Sequence, residues 1–276
     1  MEYGSILFQC SSEEEEDILL AYLEETPLES FEKTEIGIKA YWPLDAVSKE
    51  EITEQLLNLP LNLSFTFGEN IPWKNWNEEW EKNYTPIFVN ENLCVRAPFH
   101  QKSNAKAEII IQAKMSFGTG HHSTTRLMLN ELSKMELTGR KVLDFGSGTG
   151  ILGIFCGMNK CSDLVMIDHE PWTIENMEEN ISLNQIFCKV ELICGELKEV
   201  QQNNFDLILA NINKSVLLEY SHSLSKKLSQ NGIIIVSGIL LEDEQEIVDS
   251  YIAHGLSKIN SASENEWLLI SFTKNS

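Results

Sequence analysis

A short apolar run followed by three closely spaced glycines constrains the fold of this 276-residue chain more than any other feature of its sequence. Residues 141–145, Lys-Val-Leu-Asp-Phe, predict a strand, residues 146–150 read Gly-Ser-Gly-Thr-Gly, and an apolar helix is predicted from about Ile151. Glycine permits positive φ and has no Cβ, so the amides of such a turn can approach a ligand closely. The free N–H groups of the following helix point to the same place. The pattern is typical of the first βα unit of a doubly wound sheet, in which ligands bind at the carboxyl ends of the strands.

The glycine spacing and two acidic residues indicate which ligand the turn binds. The spacing is Gly-x-Gly-x-Gly, and no Gly-Lys-Ser/Thr follows, which excludes a P-loop. Asp144 precedes the turn, where a carboxylate would repel a pyrophosphate and attract a cation. A second apolar run, 164–167, ends in Asp168 and suits a carboxylate that binds ribose hydroxyls. A nucleoside with a positive centre and no phosphates describes S-adenosylmethionine, so we predict this cofactor and expect Gly146, Gly148 and Asp168 to bind it.

Downstream of residue 141 the hydrophobic pattern alternates between strands and helices. The predicted strands are 141–145, 164–168, 189–193, 205–210, 232–237, 256–262 and 266–272, and the predicted helices are 150–158, 171–184, 214–229 and 241–254. This order predicts an α/β fold with a mostly parallel sheet that ends in a hairpin. Asn211 follows the fourth strand. Its side chain is expected either to point into the ligand crevice or to cap the helix that begins near Lys214.

The first 70 residues show a different order of elements. Two predicted helices and four predicted strands follow one another as βαββαβ, the pattern of a ferredoxin-like α+β domain. Trp73, Trp76 and Trp80 then lie on one face of a predicted helix, where core packing is a more common role than base stacking. Short strands are predicted at 87–89, 93–96 and 108–111 before the large sheet begins.

Residues 116–125, Ser-Phe-Gly-Thr-Gly-His-His-Ser-Thr-Thr, form a second glycine- and hydroxyl-rich loop that leads into a predicted helix, 123–132. Such a loop can fold over a ligand held by the 146–150 turn, or it can be a capping turn without a ligand. His121 and His122 suggest a metal site, but two ligands do not make one, and no further residues with metal-ligand spacing occur. We therefore predict no metal.

The charge of the chain is strongly acidic and unevenly distributed. The formal net charge is −21, and residues 1–85 contain 19 of the 42 acidic residues but only 5 of the 21 basic residues. A surface of this kind repels bare nucleic acid and attracts basic proteins. Solubility alone is also a sufficient explanation for the excess of acidic residues.

The cysteines and the apolar runs indicate the compartment. The six cysteines form no Cys-x-x-Cys pair and are typical of reduced, mostly buried thiols. Four consecutive glutamates, 13–16, precede any long apolar run, so no signal peptide is expected. The longest apolar stretch, 233–241, is too short to span a membrane. We expect a cytoplasmic monomer without a membrane or direct nucleic-acid partner.

Several of these motifs together resemble known enzymes. Residues 144–150 with Asp168 resemble the seven-stranded S-adenosylmethionine-dependent methyltransferases, which implies a seven-stranded Rossmann-like sheet. A more specific resemblance, to the bacterial PrmA type, is carried by residues 117–125, Trp76, Trp80 and Ala210-Asn211-Ile212. It is clear from about residue 72 onward and looser before it.

PrmA-type enzymes methylate the eleventh protein of the large ribosomal subunit. The resemblance therefore implies a protein N-methyltransferase whose substrate is a free, basic ribosomal protein with lysine or N-terminal amines as targets. It also implies that residues 1–70 form the recognition domain, that 71–84 form a linker helix, and that 85–276 form the catalytic domain.

The resemblance also implies a set of site residues. The cofactor contacts of the family carry over onto Thr125, Gly146, Asp168 and Asn211, and Phe117, Gly118, Thr119 and Gly148 complete the predicted cofactor site. Asn211 is also the predicted catalytic residue, because its amide could bridge the cofactor and the target amine. The chain departs from the family pattern at Asn213-Lys214, where small or apolar residues are usual, which leaves the shape of the amine pocket open.

Other functions are compatible with parts of the sequence. A methyltransferase of the same fold could act on another protein, a small molecule or RNA, although RNA fits the acidic charge poorly. A nicotinamide dehydrogenase would require Gly-x-Gly-x-x-Gly and a turn without Asp144. A non-catalytic module would bind the cofactor without turnover.

Overall fold

The computed structural model describes residues 3–274 apart from 11, 24–25, 35, 60, 62–63, 71–83, 113 and 115–117. Contacts within the chain divide it into two compact units, Met1–Asn83 and Tyr84–Ser276. The predicted linker helix, 71–84, lies outside the described residues except for Tyr84. The domain boundaries predicted from the sequence, and the roles of the domains, stay predictions.

The first unit contains one antiparallel sheet and two helices. Its elements are β1 Tyr3–Gln9, α1 Glu13–Leu23, β2 Ser30–Thr34, β3 Gly37–Pro43, α2 Lys49–Leu57 and β4 Phe65–Phe67. The sheet order is β2-β3-β1-β4, which with the βαββαβ succession is the predicted ferredoxin-like arrangement. The last strand is described over Phe65–Phe67, and these three residues pair with β1.

Local hydrogen bonds explain where the two helices of this unit begin. The Ser12 hydroxyl accepts a hydrogen bond from the Glu15 amide at 3.2 Å, at the start of α1. Ser48 and Glu51 form a capping box at the start of α2. Acidic residues in these first turns are favoured by the helix dipole. The acidic run at residues 13–16 therefore has a local structural reason that requires no partner.

The second unit is built around a seven-stranded sheet. Its strands are β8 Lys141–Phe145, β9 Asp163–Asp168, β10 Lys189–Cys194, β11 Phe205–Asn211, β12 Leu228–Leu240, β13 Leu256–Glu264 and β14 Trp267–Lys274, and its helices are α3 Ser123–Leu132, α4 Ile151–Met158, α5 Pro171–Ser182, α6 Lys214–Lys227 and α7 Glu244–Ala253. A separate small sheet contains β5 Ile87–Asn90, β6 Leu93–Arg96 and β7 Ala107–Ile110 in that order.

The large sheet has the order β10-β9-β8-β11-β12-β14-β13. The strands from β10 to β12 are parallel, and β14 is antiparallel to β12 and β13. Successive residues of β8 face different apolar clusters, Val142 on one side of the sheet and Leu143 on the other. Burial on both faces explains why these strands are continuous apolar runs in the sequence. The predicted α/β class and terminal hairpin are confirmed.

Two boundaries in the second half differ from the predicted ones. Helix α6 ends at Lys227, and β12 runs for 13 residues, Leu228–Leu240, where the sequence predicted a strand only over 232–237. Beyond residue 237 the extension follows from pairing with β14, which reaches from Ile233 to Leu240, and before residue 232 Leu228 pairs with Phe205 of β11. Local periodicity cannot predict this length, because both partner strands lie elsewhere in the chain.

No helix among the described residues is both long and apolar enough to cross a lipid bilayer.

A bulge in β12 brings two chain segments into close contact. The register with β14 shifts between Ser237 and Ile239, and Gly238 between them has φ +87°. A Cβ at this glycine would lie 2.3 Å from the backbone oxygen of Ile212. A Cβ on Gly255, whose φ is +83°, would have no atom of the described residues within 4 Å.

These two glycines allow backbone strain to be separated from steric contact. We expect Gly255→Ala to lower the free energy of unfolding by about 1 kcal/mol, the cost of placing an L-residue at positive φ. Gly238→Ala should cost at least about 2 kcal/mol more, because the Ile212 backbone must also move. Urea denaturation of both variants measures the difference, and equal losses would contradict the proposed contact.

Candidate active site

A cavity of about 460 Å³ opens at the carboxyl ends of the central parallel strands. It is lined by Gly118, His122, Thr124, Gly146, Ser147, Gly148, Ile151, Leu152, Asp168, His169, Glu170, Trp172, Thr173, Asn211, Ile212, Asn213, Gly238 and Trp267. Six chain segments converge here, and five of them belong to or follow β8, β9, β11, β12 and β14, which are neighbours in the sheet. Five predicted cofactor residues, Gly118, Gly146, Gly148, Asp168 and Asn211, line this cavity.

The glycine turn after β8 forms the floor of the cavity. Gly146 has φ +73°, and a Cβ there would lie 2.3 Å from the Ile212 side chain. The Gly146 amide donates to the Ile167 carbonyl at 2.9 Å, which ties the turn to β9. Gly150, at φ +81°, precedes α4 and provides no side-chain cap. Gly146 and Gly148 therefore present backbone alone to the cavity.

Asp168 is held in place by two backbone amides. One carboxylate oxygen, Oδ2, accepts from the Gly148 amide at 2.8 Å, and Oδ1 accepts from the Glu170 amide at 3.2 Å. The residue is only 9% exposed, yet it lines the cavity. A carboxylate oxygen can accept more than one hydrogen bond, so Asp168 keeps acceptor capacity for the hydroxyl groups of a ligand.

Asp144 occupies a different place from the one its sequence position suggested. It is 1% exposed, and its side chain accepts a hydrogen bond from the Gly153 amide at 2.9 Å. It does not line the cavity but lies behind the turn, against the first helical turns of α4. Burial, and secondarily the charge of Asp168, raises the pKa of Asp144 to about 7, against the lowering effect of the Gly153 hydrogen bond.

The glycine- and hydroxyl-rich loop contacts the turn from above. The Thr149 hydroxyl donates to the Gly118 carbonyl at 2.6 Å. Thr119 does not line the cavity, and Phe117 lies outside the described residues. Thr125 is in the first turn of α3, fully buried and not on the cavity wall, and its hydroxyl has no hydrogen-bond partner among the described residues.

Asn211 and Asn213 have different roles. The Asn213 side chain caps α6 by accepting a hydrogen bond from the Val216 amide at 3.1 Å. The Asn211 side chain does not cap the helix. Its oxygen Oδ1 is buried and has no hydrogen-bond partner in the described part of the chain. Of the two roles that the sequence left open for Asn211, the crevice position is the one observed.

Lys214, the second residue that departs from the family pattern, points to a neighbouring helix. Its ammonium group lies 2.8 Å from Asp243 and 3.2 Å from Glu246. It is absent from the cavity wall, whereas Asn213 is part of it. Of the two residues that depart from the family pattern, Asn213 is the one that lines the cavity.

Aromatic residues of the cavity wall were not predicted from the sequence. Trp172 lies in the first turn of α5 and is 51% exposed. Trp267 begins β14, and its ring lies 4.6 Å from the ring of His122, the residue that caps α3. Trp267 reaches the site only because β14 inserts beside β12, an order that local sequence cannot reveal. The sequence feature that could have predicted Trp172 as a cavity residue is its position four residues after Asp168.

The described residues contain no group of three or more side chains suited to binding a metal ion.

Comparison with known proteins identifies the family. A profile described as "Ribosomal protein L11 methyltransferase (PrmA)" matches residues 2–275. The chain belongs to this family. Its relatives include the ribosomal protein L11 methyltransferase of Porphyromonas gingivalis, 38% identical over 94% of this chain and 91% of the relative. The corresponding protein of Bacteroides thetaiotaomicron is 33% identical over 99% of this chain and 100% of its own length.

A solved structure agrees on the fold. The ribosomal protein L11 methylase of Lactobacillus delbrueckii subsp. bulgaricus superposes with a TM-score of 0.64 at 23% identity, covering 70% of this chain and 100% of the other. The family, the enzyme class and the cofactor predicted from the sequence are confirmed. The protein is an S-adenosylmethionine-dependent protein methyltransferase.

The cavity of this PrmA-family protein fits that cofactor. It offers the backbone of Gly146 and Gly148, a fixed carboxylate at Asp168 and an amide oxygen at Asn211 that has no partner among the described residues. A buried acceptor without a partner is costly, and a ligand donor would remove that cost. The volume of about 460 Å³ lies within the usual range of small-molecule sites.

The raised pKa of Asp144 predicts a pH dependence of stability. A carboxyl group with a folded pKa near 7 binds a proton more tightly in the folded state than in the unfolded state, so its contribution falls as pH rises from about 4 to 7. Between pH 5 and pH 8 the parent should lose roughly 2–3 kcal/mol of unfolding free energy relative to Asp144→Asn. Urea denaturation at both pH values tests this, and parallel pH profiles would contradict the shift.

Proposed function

We propose that this protein transfers methyl groups from S-adenosylmethionine to amino groups of ribosomal protein L11, at lysine side chains, the N-terminal amine, or both. The names of the relatives support this target, since curated proteins that align over nearly their whole length are L11 methyltransferases. The proposal also includes a cytoplasmic, monomeric enzyme that acts on the free protein, without a membrane or nucleic-acid partner.

The unpaired amide of Asn211 is the observation that carries the proposal. It lies at the carboxyl end of β11, next to the glycine turn, on the wall of the cavity. Its oxygen is buried, and no described residue donates a hydrogen bond to it. The donor that it lacks is one that a substrate amine or the amino group of the cofactor can supply.

The remaining site residues have separate proposed roles in holding the cofactor. Asp168 would bind the ribose hydroxyls, and Gly146 and Gly148 would let the turn approach the ligand closely. The loop that contains Gly118 and Thr119 would cover the methionine part. Thr125, predicted to close over the methionine part with this loop, is buried in the first turn of α3 and is not among the residues that line the cavity.

When bound, the cofactor supplies an electrophilic methyl group on a sulfonium centre. The chain must align the amine with this group and exclude water. The amine must also be neutral. At pH 7 deprotonation costs about 4–5 kcal/mol for a lysine with a pKa near 10.4 and about 1 kcal/mol for an α-amine near 7.8. Transfer of a lysine amine into the cavity lowers its pKa by desolvation and reduces this cost.

Asn211 would orient the amine but not deprotonate it. A carboxamide oxygen is a hydrogen-bond acceptor with negligible basicity, so it can fix the direction of an N–H bond without taking the proton. Its strand position, paired with Ser237 of β12 and next to β8, gives it little freedom to move. Rigid placement of this kind is what alignment in a displacement reaction requires.

The acidic first unit is the proposed recognition domain for the ribosomal protein. Helix α2 exposes Glu50 and Glu54 beside Leu57, which is 73% exposed. Together these residues line a shallow groove with Lys49 and Thr53. An acidic groove with an apolar end suits a basic protein surface.

Methyl transfer to ribosomal proteins tests the function directly. The enzyme is incubated with labelled S-adenosylmethionine and a mixture of free large-subunit proteins, and the products are resolved by mass. One labelled band at the mass of L11, lost in Asp168→Ala, is expected. Cofactor binding without any labelled band would contradict the proposed target.

Replacement of Asn211 tests the proposed alignment. Asn211→Ala should lower kcat for L11 methylation by roughly 100-fold, the usual cost of losing a positioning contact, and should weaken cofactor binding much less. The matched control is Asn213→Ser, because serine also caps helices well and Asn211 is retained. Near-normal turnover of Asn211→Ala, or an equal loss of kcat in Asn213→Ser, would contradict the role proposed for Asn211.

Electrostatic attraction predicts that salt slows the encounter with L11. The association rate should fall as the salt concentration rises, since exposed charges are screened beyond about 10 Å at 0.1 M. The double variant Glu50→Gln/Glu54→Gln should show a shallower dependence. Neutralising Glu175 and Glu178 on α5 serves as the control, and stopped-flow measurements at several salt concentrations compare the slopes. A rate independent of salt in the parent would oppose the proposal.

A further inference from the structure

Residues 118–121, here called the 118–121 loop, are fixed to the cofactor turn at one end. The Gly118 carbonyl accepts from the Thr149 hydroxyl at 2.6 Å, and Gly118 itself lines the cavity. A Cβ at Gly118, whose φ is +104°, would lie 2.8 Å from the Thr149 oxygen. The position of this loop therefore determines part of the cavity wall.

The other end of the loop rests on Tyr84. The Tyr84 hydroxyl donates to the Thr119 carbonyl at 3.4 Å. The Tyr84 ring lies 4.4 Å from the ring of His121, at an angle of 56°. Burial lowers the pKa of His121 by desolvation, against the raising effect of a hydrogen bond to the backbone of Thr85. Tyr84 thus contacts Thr119 and His121, two of the four loop residues.

Tyr84 is itself held by His100. The Ala97 amide donates to His100 Nδ1 at 3.1 Å, so the proton of the neutral ring is on Nε2. Nε2 lies 2.5 Å from the Tyr84 carbonyl and donates to it. The two rings are also stacked, with centroids 5.9 Å apart and an angle of 13°. Both the backbone and the ring of Tyr84 are therefore fixed.

The small sheet supports the middle of the loop. A Cβ on Gly120 would lie 3.1 Å from Ile87 of β5 and 3.2 Å from Val95 of β6. The loop backbone thus packs directly on this sheet, and the φ of +93° at Gly120 requires glycine there. Arg126 of α3 also donates to the His121 carbonyl. These contacts give the sheet β5–β7 a structural role next to the cofactor turn.

We propose that Tyr84 is a positioning residue for cofactor binding, which holds the 118–121 loop against the glycine turn. The proposal rests on the proposed cofactor site, in which this loop covers the ligand. Tyr84 is the first residue of the second unit, so the proposal ties cofactor affinity to the start of that unit.

Substitution of Tyr84 in the full-length enzyme tests this role. Tyr84→Leu should weaken binding of S-adenosylhomocysteine, measured by calorimetry, by about tenfold and raise KM for S-adenosylmethionine similarly, with kcat within about threefold of the parent. Tyr84→Phe keeps the ring and loses only a long hydrogen bond, so it should restore affinity to within about twofold. Phe88→Leu, which removes a ring that is 60% exposed on the same small sheet, is the control.

The outcomes separate this proposal from the proposed function. If the parent enzyme does not bind S-adenosylhomocysteine, the cofactor site itself is wrong. If the parent binds and Tyr84→Leu binds within twofold of it, only the role of Tyr84 is overturned. Should Tyr84→Leu fail to fold, Tyr84→Met, which keeps volume without a ring, decides by the same measurement. A loss in kcat with unchanged KM would also overturn the proposal.

Discussion

Parallel pairing of β8 with β9 on one side and β11 on the other is the constraint on which the site depends. The pairing aligns Phe145 with Ile167 and with Ala210, so that the glycine turn, Asp168 and Asn211 all follow at the same edge of the sheet. The hydrogen bond from the Gly148 amide to Asp168 can form only because these strands end together. The sheet itself brings these three groups together, and its rigidity becomes the rigidity of this part of the site.

Elements around that edge of the sheet complete the wall of the cavity. Helix α3 and the 118–121 loop cover the turn from a different part of the chain, and Trp267, the first residue of β14, closes the far side. The cavity is polar at Asp168 and Asn211 and apolar at Trp172 and Trp267. Such a division suits a ligand with hydroxyl groups at one end and a methyl group to be transferred. The proposed chemistry relies on this enclosure, because a neutral amine is favoured where water is excluded.

Local sequence was sufficient for the parts of this structure that have local causes. Helix α3 has the predicted bounds, since a capping residue and a strong apolar stripe determine them. The glycine turn and Asp168 were predicted for the same reason. The length of β12 and the presence of Trp267 in the cavity could not be predicted, because both depend on pairing between strands that lie apart in the chain, β12 with β11 and β14. The burial of Asp144 behind the turn was also missed, since adjacency in sequence does not tell which way a strand residue points.

The contact between Gly146 and Ile212 links two segments that lie far apart in the sequence. The Ile212 side chain occupies the space that a Cβ at residue 146 would need. The two positions therefore share a single volume, and neither can enlarge alone. Over evolutionary time, changes at either position are constrained by its partner, so the two should vary jointly among descendants of this chain. Engineering that redesigns the turn for an altered cofactor would have to treat residues 146 and 212 as one unit.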